Sequence, residues 1–262
     1  MLYQLPTTND EVYRLLAAST VGIAKIRDRG DIVADAHLTG SGTLVRVGGV
    51  AGILTAAHVL ARLRERTIGI IPFTRVESTS QFKLDIEESD LVFAEGWPNG
   101  PDLAFLRIAN QERVGTLEAW GCVFYNLELN RPIPSNADEF CLCGVIDETR
   151  IVEETAGRPP ITGYQAMFGA VSSVDVNDGS ETLRVRLAHD ADIPPPQSYG
   201  GVSGGALWLI SRNGTDTPFR ILVGVAYYEC DADSWNMREI LCCSIWQAYA
   251  SLLPKVTAEF TE

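Results

Sequence analysis

The run Ser41-Gly-Thr-Leu-Val-Arg-Val47 alternates apolar and polar residues, and Gly48-Gly49 separates it from the apolar run Val50–Thr55. A period of two places alternate side chains on opposite faces of a strand, and a two-glycine linker suits a tight hairpin turn. Further strand-length runs stand at Val21–Ile26, Thr67–Phe73, Leu103–Ile108, Glu139–Cys143, Ala166–Val176, Thr182–Leu187, Gly205–Ile210 and Ile221–Tyr227. Gly, Pro and Asn punctuate them. Many short strands with few intervening helices predict an all-β chain built from barrels or sandwiches. Helical spacing is confined to three places. Thr8 or Asn9 can cap a helix over about Asp10–Ala18, with Val12, Leu15 and Leu16 on one face. A turn or two follows His58, and Ile245, Trp246, Tyr249 and Leu253 mark a last helix that Pro254 is expected to stop.

A chain of 262 residues can bury one large core or two packed lobes. Its 21 Lys and Arg against 34 Asp and Glu leave a net charge of −13, which argues against binding a phosphate backbone, so no nucleic-acid partner is expected. No apolar run reaches the length of a membrane span, and Met1-Leu-Tyr-Gln-Leu-Pro6 lacks the basic and apolar regions of a signal peptide. The expectation is a cytoplasmic protein that does not bind membranes. Its six cysteines (122, 141, 143, 230, 242 and 243) then read as reduced, buried thiols. Cys141-x-Cys143 and Cys242-Cys243 lack zinc-knuckle spacing, and no histidine lies near them, so neither a metal nor another cofactor is expected.

Three segments carry chemistry: Leu54-Thr-Ala-Ala-His58, Pro101-Asp-Leu-Ala-Phe105 and Gly200-Gly-Val-Ser-Gly-Gly205. Together they supply a base, a carboxylate to orient it, and a serine whose glycine neighbours let the backbone approach a substrate closely. Gly201-Val-Ser-Gly-Gly205 also fits the nucleophile elbow of α/β-hydrolases. That fold needs a histidine after the serine, whereas histidines 37, 58 and 189 all precede Ser203. A subtilisin-like order would draw on Asp28, Asp31 or Asp35 before His58, but on an α/β scaffold that the strand pattern contradicts. What remains is His, Asp, Ser on an all-β chain. His37 and His189 read as structural. Asp90-Leu-Val-Phe imitates Asp102-Leu-Ala-Phe, and the spacing and the Leu-Ala-Phe-Leu continuation favour Asp102.

On these motifs the chain resembles the trypsin-like (chymotrypsin-fold) serine peptidases, in their bacterial, disulfide-free branch. Gly40-Ser-Gly-Thr-Leu44 leading into Ile53–Val59 carries the likeness, with Pro101–Arg107 and Gly200–Gly205. His58 and Asp102 stand 44 residues apart, and Asp102 and Ser203 stand 101 apart, spacings that suit the family. The resemblance covers about residues 20–250. It implies two packed six-stranded β-barrels, a short N-terminal helix and a C-terminal helix, in a single peptidase domain over 1–262. Residues 19–120 would form the barrel with His58 and Asp102, 121–240 the barrel with Ser203, and 241–254 the helix. It also implies an oxyanion hole from the backbone N–H groups of Gly201 and Ser203.

Departures from the family refine this. Val202 stands where zymogen-activated members carry an aspartate that pairs with a freed N-terminus, so activation by trimming is not expected. Val59 stands where the secreted members carry a disulfide cysteine. Only 59 residues follow Ser203, too few for a PDZ-like domain after the second barrel. Gln197, Tyr227, Tyr228 and Glu229 fall where the family lines its substrate pocket. Gln197 takes the place of trypsin's aspartate, while Glu229 or Asp231 can still supply negative charge there. The implied activity is peptide-bond hydrolysis on a protein or peptide substrate. An unrestrained cytosolic protease is dangerous. That points to one dedicated substrate or an activating protein partner, as in bacterial antiviral defence modules. The rival is a catalytically silent or latent binding module on the same fold.

Overall fold

Alternating burial along the chain becomes two curled, almost wholly antiparallel sheets in the computed structural model, which describes residues 11–29, 32–63, 67–73, 77–78, 82–127, 139–153, 161–176, 182–188, 196–211, 219–231 and 238–260. Thr8, Asn9, His189, Pro194 and Pro195, and the polar loop 212–218 lie outside the described residues.

The first half contributes α1 (Glu11–Ser19), β1 (Thr20–Arg29), β2 (Ile32–Val47), β3 (Val50–Thr55), α2 (Ala57–Ala61), β4 (Thr67–Pro72), β5 (Glu77–Ser78), β6 (Phe82–Asp85), β7 (Leu91–Phe93), β8 (Ala104–Arg107), α3 (Gln111–Ala119) and β9 (Tyr125–Asn126). Its sheet runs β6-β4-β1-β2-β3-β8-β7, with β9 paired to β2. The Gly48-Gly49 turn forms as the sequence suggests, with Val47 opposite Val50. The second half contributes β10 (Glu139–Val145), β11 (Ile151–Glu153), β12 (Ile161–Val176), β13 (Thr182–Leu187), β14 (Ala206–Ser211), β15 (Phe219–Glu229), β16 (Glu239–Ser244), α4 (Ile245–Gln247) and α5 (Leu253–Phe260). Its sheet runs β10-β14-β15-β16-β13-β12-β11, and β10 also pairs with β12. That last pairing closes a six-stranded barrel, while the first sheet curls with β6 and β7 at its edges. The architecture is the trypsin-like two-barrel fold.

Each sheet has its own core: Ile23, Leu44, Ile53, Ile70 and Leu106 in the first, and Leu142, Val185, Leu207 and Val223 in the second. A third cluster, with Leu54, Phe105, Trp208 and Val225, joins residues of both sheets. Burying a side chain of this size stabilises by roughly 1.5–3 kcal/mol, so this shared layer fixes one sheet on the other. α1 is part of it through Val12 and Leu16. Arg220 of β15 holds the end of α1 by donating to the Leu15 carbonyl and to Ser19 Oγ, while its guanidinium lies 4.9 Å from the Trp208 ring centroid. Burial depresses its pKa to about 10, offset in part by the field of Cys143.

Two helical expectations need correction. α3 was not anticipated, yet Asn110 caps it by accepting the N–H groups of Glu112 and Arg113, and Val114 and Leu117 are buried beneath it. Pro254 does not end the last helix. A π-helical stretch over Ala248–Leu252 leads into α5, and Pro254 falls in the first turn of that segment, where a missing N–H is tolerated.

Candidate active site

β3 delivers the histidine. Its last residue, Thr55, pairs with Ala104 at the start of β8, so two further steps of the same antiparallel register bring Asp102 beside Ala57 and His58. Asp102 Oδ1 accepts the His58 backbone N–H at 2.9 Å, and Oδ2 meets imidazole Nδ1 at 2.6 Å. Burial pushes the Asp102 carboxyl up, but bonds from the imidazole and from the backbone N–H groups of His58 and Ala57 outweigh it and hold the group below its ordinary value. An ionised carboxylate only accepts, so Nδ1 carries the proton of this bond, the tautomer that in a neutral imidazole leaves the lone pair on Nε2. The two side chains stay 26% and 22% exposed, enough for a substrate to reach the imidazole.

The serine loop is fastened to the same corner. The Ser203 carbonyl accepts the N–H of Ser41 on β2 at 2.7 Å, and Thr55 Oγ1 donates to the Ser41 carbonyl at 2.6 Å. Gly40 lies between the loop and α2: a Cβ there would come within 2.6 Å of Val59 Cγ2 and 2.8 Å of the Ser203 carbonyl. Gly204 is more constrained still. It has φ +89°, and a Cβ would stand 1.9 Å from the Ser41 carbonyl oxygen and 2.1 Å from Thr55 Oγ1. Only glycine fits. Ser203 Oγ donates to the Tyr227 carbonyl at 3.5 Å, and among the described residues it makes no hydrogen bond to His58. Such bonds are often long before substrate binds.

The backbone of this loop is selective about its partners. The N–H of Gly200 donates to Ser198 Oγ, that of Val202 to the Tyr199 carbonyl, that of Gly204 to the Ala226 carbonyl, and that of Gly205 to the Val202 carbonyl. Among the described residues, the N–H groups of Gly201 and Ser203 donate to nothing. In a trans peptide the C=O points opposite to the following N–H. The Gly200 carbonyl is held by the Asp147 N–H, and the Val202 carbonyl by the Gly205 N–H, so both unpartnered donors point away from their anchors. Free backbone donors next to a serine hydroxyl are the kind of group that a developing oxyanion requires.

Val202 is buried in the second core, among Leu142, Ile146 and Leu207. The loop is thus anchored there by apolar packing. Among the residues expected to line the pocket, Gln197 is exposed and its N–H donates to Glu148 Oε2. Tyr228 is 56% exposed, while Tyr227 is half-buried and burial raises its hydroxyl pKa, against a hydrogen bond with Thr182. Glu229 is already engaged. Oε2 accepts from Ser198 Oγ and the Tyr199 N–H, and Oε1 accepts from Arg238 at 2.8 Å. The charge of Glu229 is thus balanced by an arginine that follows β15 by nine residues. His37 is exposed on β2.

None of the six cysteines is in a disulfide. Cys141 and Cys143 point to one face of β10 with sulfurs 3.7 Å apart, and burial drives the Cys143 thiol well above its ordinary value. Burial also pushes Cys122 up to about 12. Thiols held protonated in this way are poor nucleophiles and poor metal ligands. Among the described residues, no three His, Cys, Asp or Glu side chains gather in a group fit for a metal ion.

The motifs did not point to Ser41, Glu148 or Arg238. Gly40-Ser-Gly42 does repeat the glycine flanking of Ser203, which is the signal that singles Ser41 out.

No family model matches the sequence, and no curated protein matches it. Among solved structures, the chain is similar to the serine protease domain of the Sesbania mosaic virus polyprotein, with 14% identity over 90% of this chain and 92% of that one, TM-score 0.44. A second Sesbania mosaic virus structure, from work on the coupled folding and binding of its disordered VPg protein, matches with 15% identity over 88% and 87% of the two chains, TM-score 0.44. Rv3671c from M. tuberculosis, as an inactive serine-to-alanine mutant, matches with 13% identity over 96% and 92%, TM-score 0.47. At such identities neither activity nor specificity passes from these proteins to this chain, and the chemistry rests on the side chains and backbone of the site itself.

Proposed function

We propose that the chain is a serine endopeptidase that works through an acyl-enzyme. The observation that carries this reading is the pair of unpartnered N–H groups on Gly201 and Ser203, in a loop fastened beside the His58–Asp102 pair. Ser203 Oγ would attack the scissile carbonyl carbon while its proton passes to His58 Nε2. Asp102 would balance the imidazolium, and the carbonyl oxygen would take up its charge between the two free donors. Collapse of the tetrahedral adduct breaks the C–N bond, and His58 returns the proton to the leaving amine. Water then repeats the sequence on the ester, releasing the acid and restoring Ser203. No metal or organic cofactor enters these steps.

The same reading takes 1–262 as one peptidase domain acting on a restricted protein or peptide substrate in the cytoplasm, in a bacterial defence or regulatory module. Six cysteines outside any disulfide accord with a reducing compartment. No helix of the described residues is long and apolar enough to cross a membrane. Val202, buried in the core, supports an enzyme not switched on by trimming of its N-terminus.

A latent module needing an activating partner is the second reading. It is favoured by one observation, the bond of Ser203 Oγ to the Tyr227 carbonyl in place of His58. A fluorophosphonate probe separates the two. The active reading expects labelling of the folded wild type at Ser203 and none of Ser203→Ala. An unlabelled wild type overturns it, and labelling that appears only with an added protein partner establishes latency.

A further inference from the structure

We infer that Ser41 is a positioning residue for the oxyanion hole; the inference rests on the endopeptidase reading and extends it to a residue on the opposite sheet. Ser41 is fully buried on β2 of the first sheet, yet most of its polar contacts lie in the second half of the chain. Its hydroxyl donates to the Gly201 carbonyl at 2.7 Å and accepts the N–H of Val145 on β10 at 2.8 Å. Its backbone N–H donates to the Ser203 carbonyl at 2.7 Å, and its own carbonyl is fixed by Thr55 Oγ1.

The peptide joining Gly201 to Val202 lies between the two free donors. Its N–H end is tied to the Tyr199 carbonyl, and among the described residues its C=O end is tied only by the Ser41 hydroxyl. The Gly201 and Ser203 N–H groups belong to the two adjoining peptides, and the torsions on either side of this plane set their mutual orientation, so loosening the plane frees the two donors to turn relative to one another. Gly201 has φ +94°, a conformation that glycine leaves easily. The hydroxyl's second bond, from Val145, fixes where its proton points. Donation to Gly201 is therefore the role left to it. A single buried side chain thus sets the spacing of both oxyanion donors and ties that spacing to the strand pair from which His58 emerges.

The test compares wild type with Ser41→Ala and Ser41→Cys. Two rates are read by mass spectrometry. One is labelling of Ser203 by a fluorophosphonate, in which the serine oxygen bonds phosphorus, fluoride leaves and the phosphoryl oxygen occupies the hole. The other is carbethoxylation of His58 by diethyl pyrocarbonate, which needs no hole. Loss of one oxyanion donor lowers rates by roughly 10²–10³-fold, so misplacing one is expected to slow serine labelling in Ser41→Ala by about 10–100-fold. His58 modification stays at the wild-type rate, and Ser41→Cys, whose thiol is a weaker donor, falls between. Should Ser41→Ala not fold, Ser41→Cys decides alone: slowed labelling with unchanged His58 modification supports the assignment. Labelling of the folded variants at the wild-type rate overturns it while leaving the endopeptidase reading intact, as does a fall in labelling matched by an equal change at His58. An unlabelled wild type removes that reading, and with it this one.

Discussion

An aspartate stands at each end of strand β8, Asp90 opposite its last residue and Asp102 just before its first, and the two have opposite fates. At its exit, Arg107 reaches Asp90 with Nη2 at 2.8 Å and Nε at 2.9 Å, and Asp90 also accepts the Glu87 N–H. At its entrance, Asp102 meets the His58 imidazole at 2.6 Å. The local sequences, Asp-Leu-Val-Phe and Asp-Leu-Ala-Phe, are nearly the same. Register separates them. β7 pairs Leu91 with Leu106, which brings Asp90 opposite Arg107, whereas β8 pairs Ala104 with Thr55, which brings Asp102 to the residues just after β3. The Asp90 side chain is 7% exposed and that of Asp102 22%. One carboxylate closes a strand end, while the other is left where a substrate can reach its partner. Nearly identical motifs acquire different surroundings from what the neighbouring strand presents.

Three substitutions break or sharpen this contrast. The largest effect is expected from Asp102→Asn, which favours the wrong imidazole tautomer and should slow fluorophosphonate labelling of Ser203 by about 10³–10⁴-fold. Asp90→Asn should do the reverse. It leaves Arg107 short of its counter-charge and should lower stability in urea unfolding by about 2–4 kcal/mol, with labelling unchanged. Slowed labelling in a folded Asp90→Asn would mean that the two ends of β8 are not independent. The smallest effect is expected at Glu229. Glu229→Gln removes a partly exposed pair with Arg238 and should lower stability by only about 0.5–1 kcal/mol, a difference that shrinks in high salt.

Acid titration sharpens the contrast further. The Asp102 pKa is lowered in the folded chain, so its stabilising contribution is fully present above the ordinary carboxylate pKa and disappears as pH falls through the lower, folded value. Urea unfolding of wild type against Asp102→Asn should therefore give a stability difference that is level from neutral pH down to the ordinary carboxylate range. It should shrink only below that range. A difference already shrinking near neutrality would contradict the assigned pairing.

What could be read from sequence was whatever the backbone demands locally. The Gly48-Gly49 hairpin, the strand before His58 and the glycines around Ser203 announce themselves because turns and close approaches restrict residue choice there. α3 was missed because its signal is one capping asparagine followed by only two buried positions, Val114 and Leu117. Pro254 reads locally as a stop, whereas the π-helical stretch over Ala248–Leu252 puts it in the first turn of α5. Partners fixed by tertiary register left no local trace. Glu229 meets Arg238 only because β15 and β16 form a hairpin, and Ser41 meets Gly201 only because two sheets pack together.

The account stands or falls on Ser203 as the nucleophile. Intact and peptide mass spectrometry after brief exposure to p-nitrophenyl acetate tests this directly, because acyl transfer puts an acetyl group on the attacking oxygen and releases nitrophenolate. The account predicts a single acetyl adduct on Ser203 of the wild type that forms rapidly and then hydrolyses, slow formation in Asp102→Asn, and none in Ser203→Ala. An adduct that persists unchanged in Ser203→Ala, or a folded wild type that is never acylated, would contradict it.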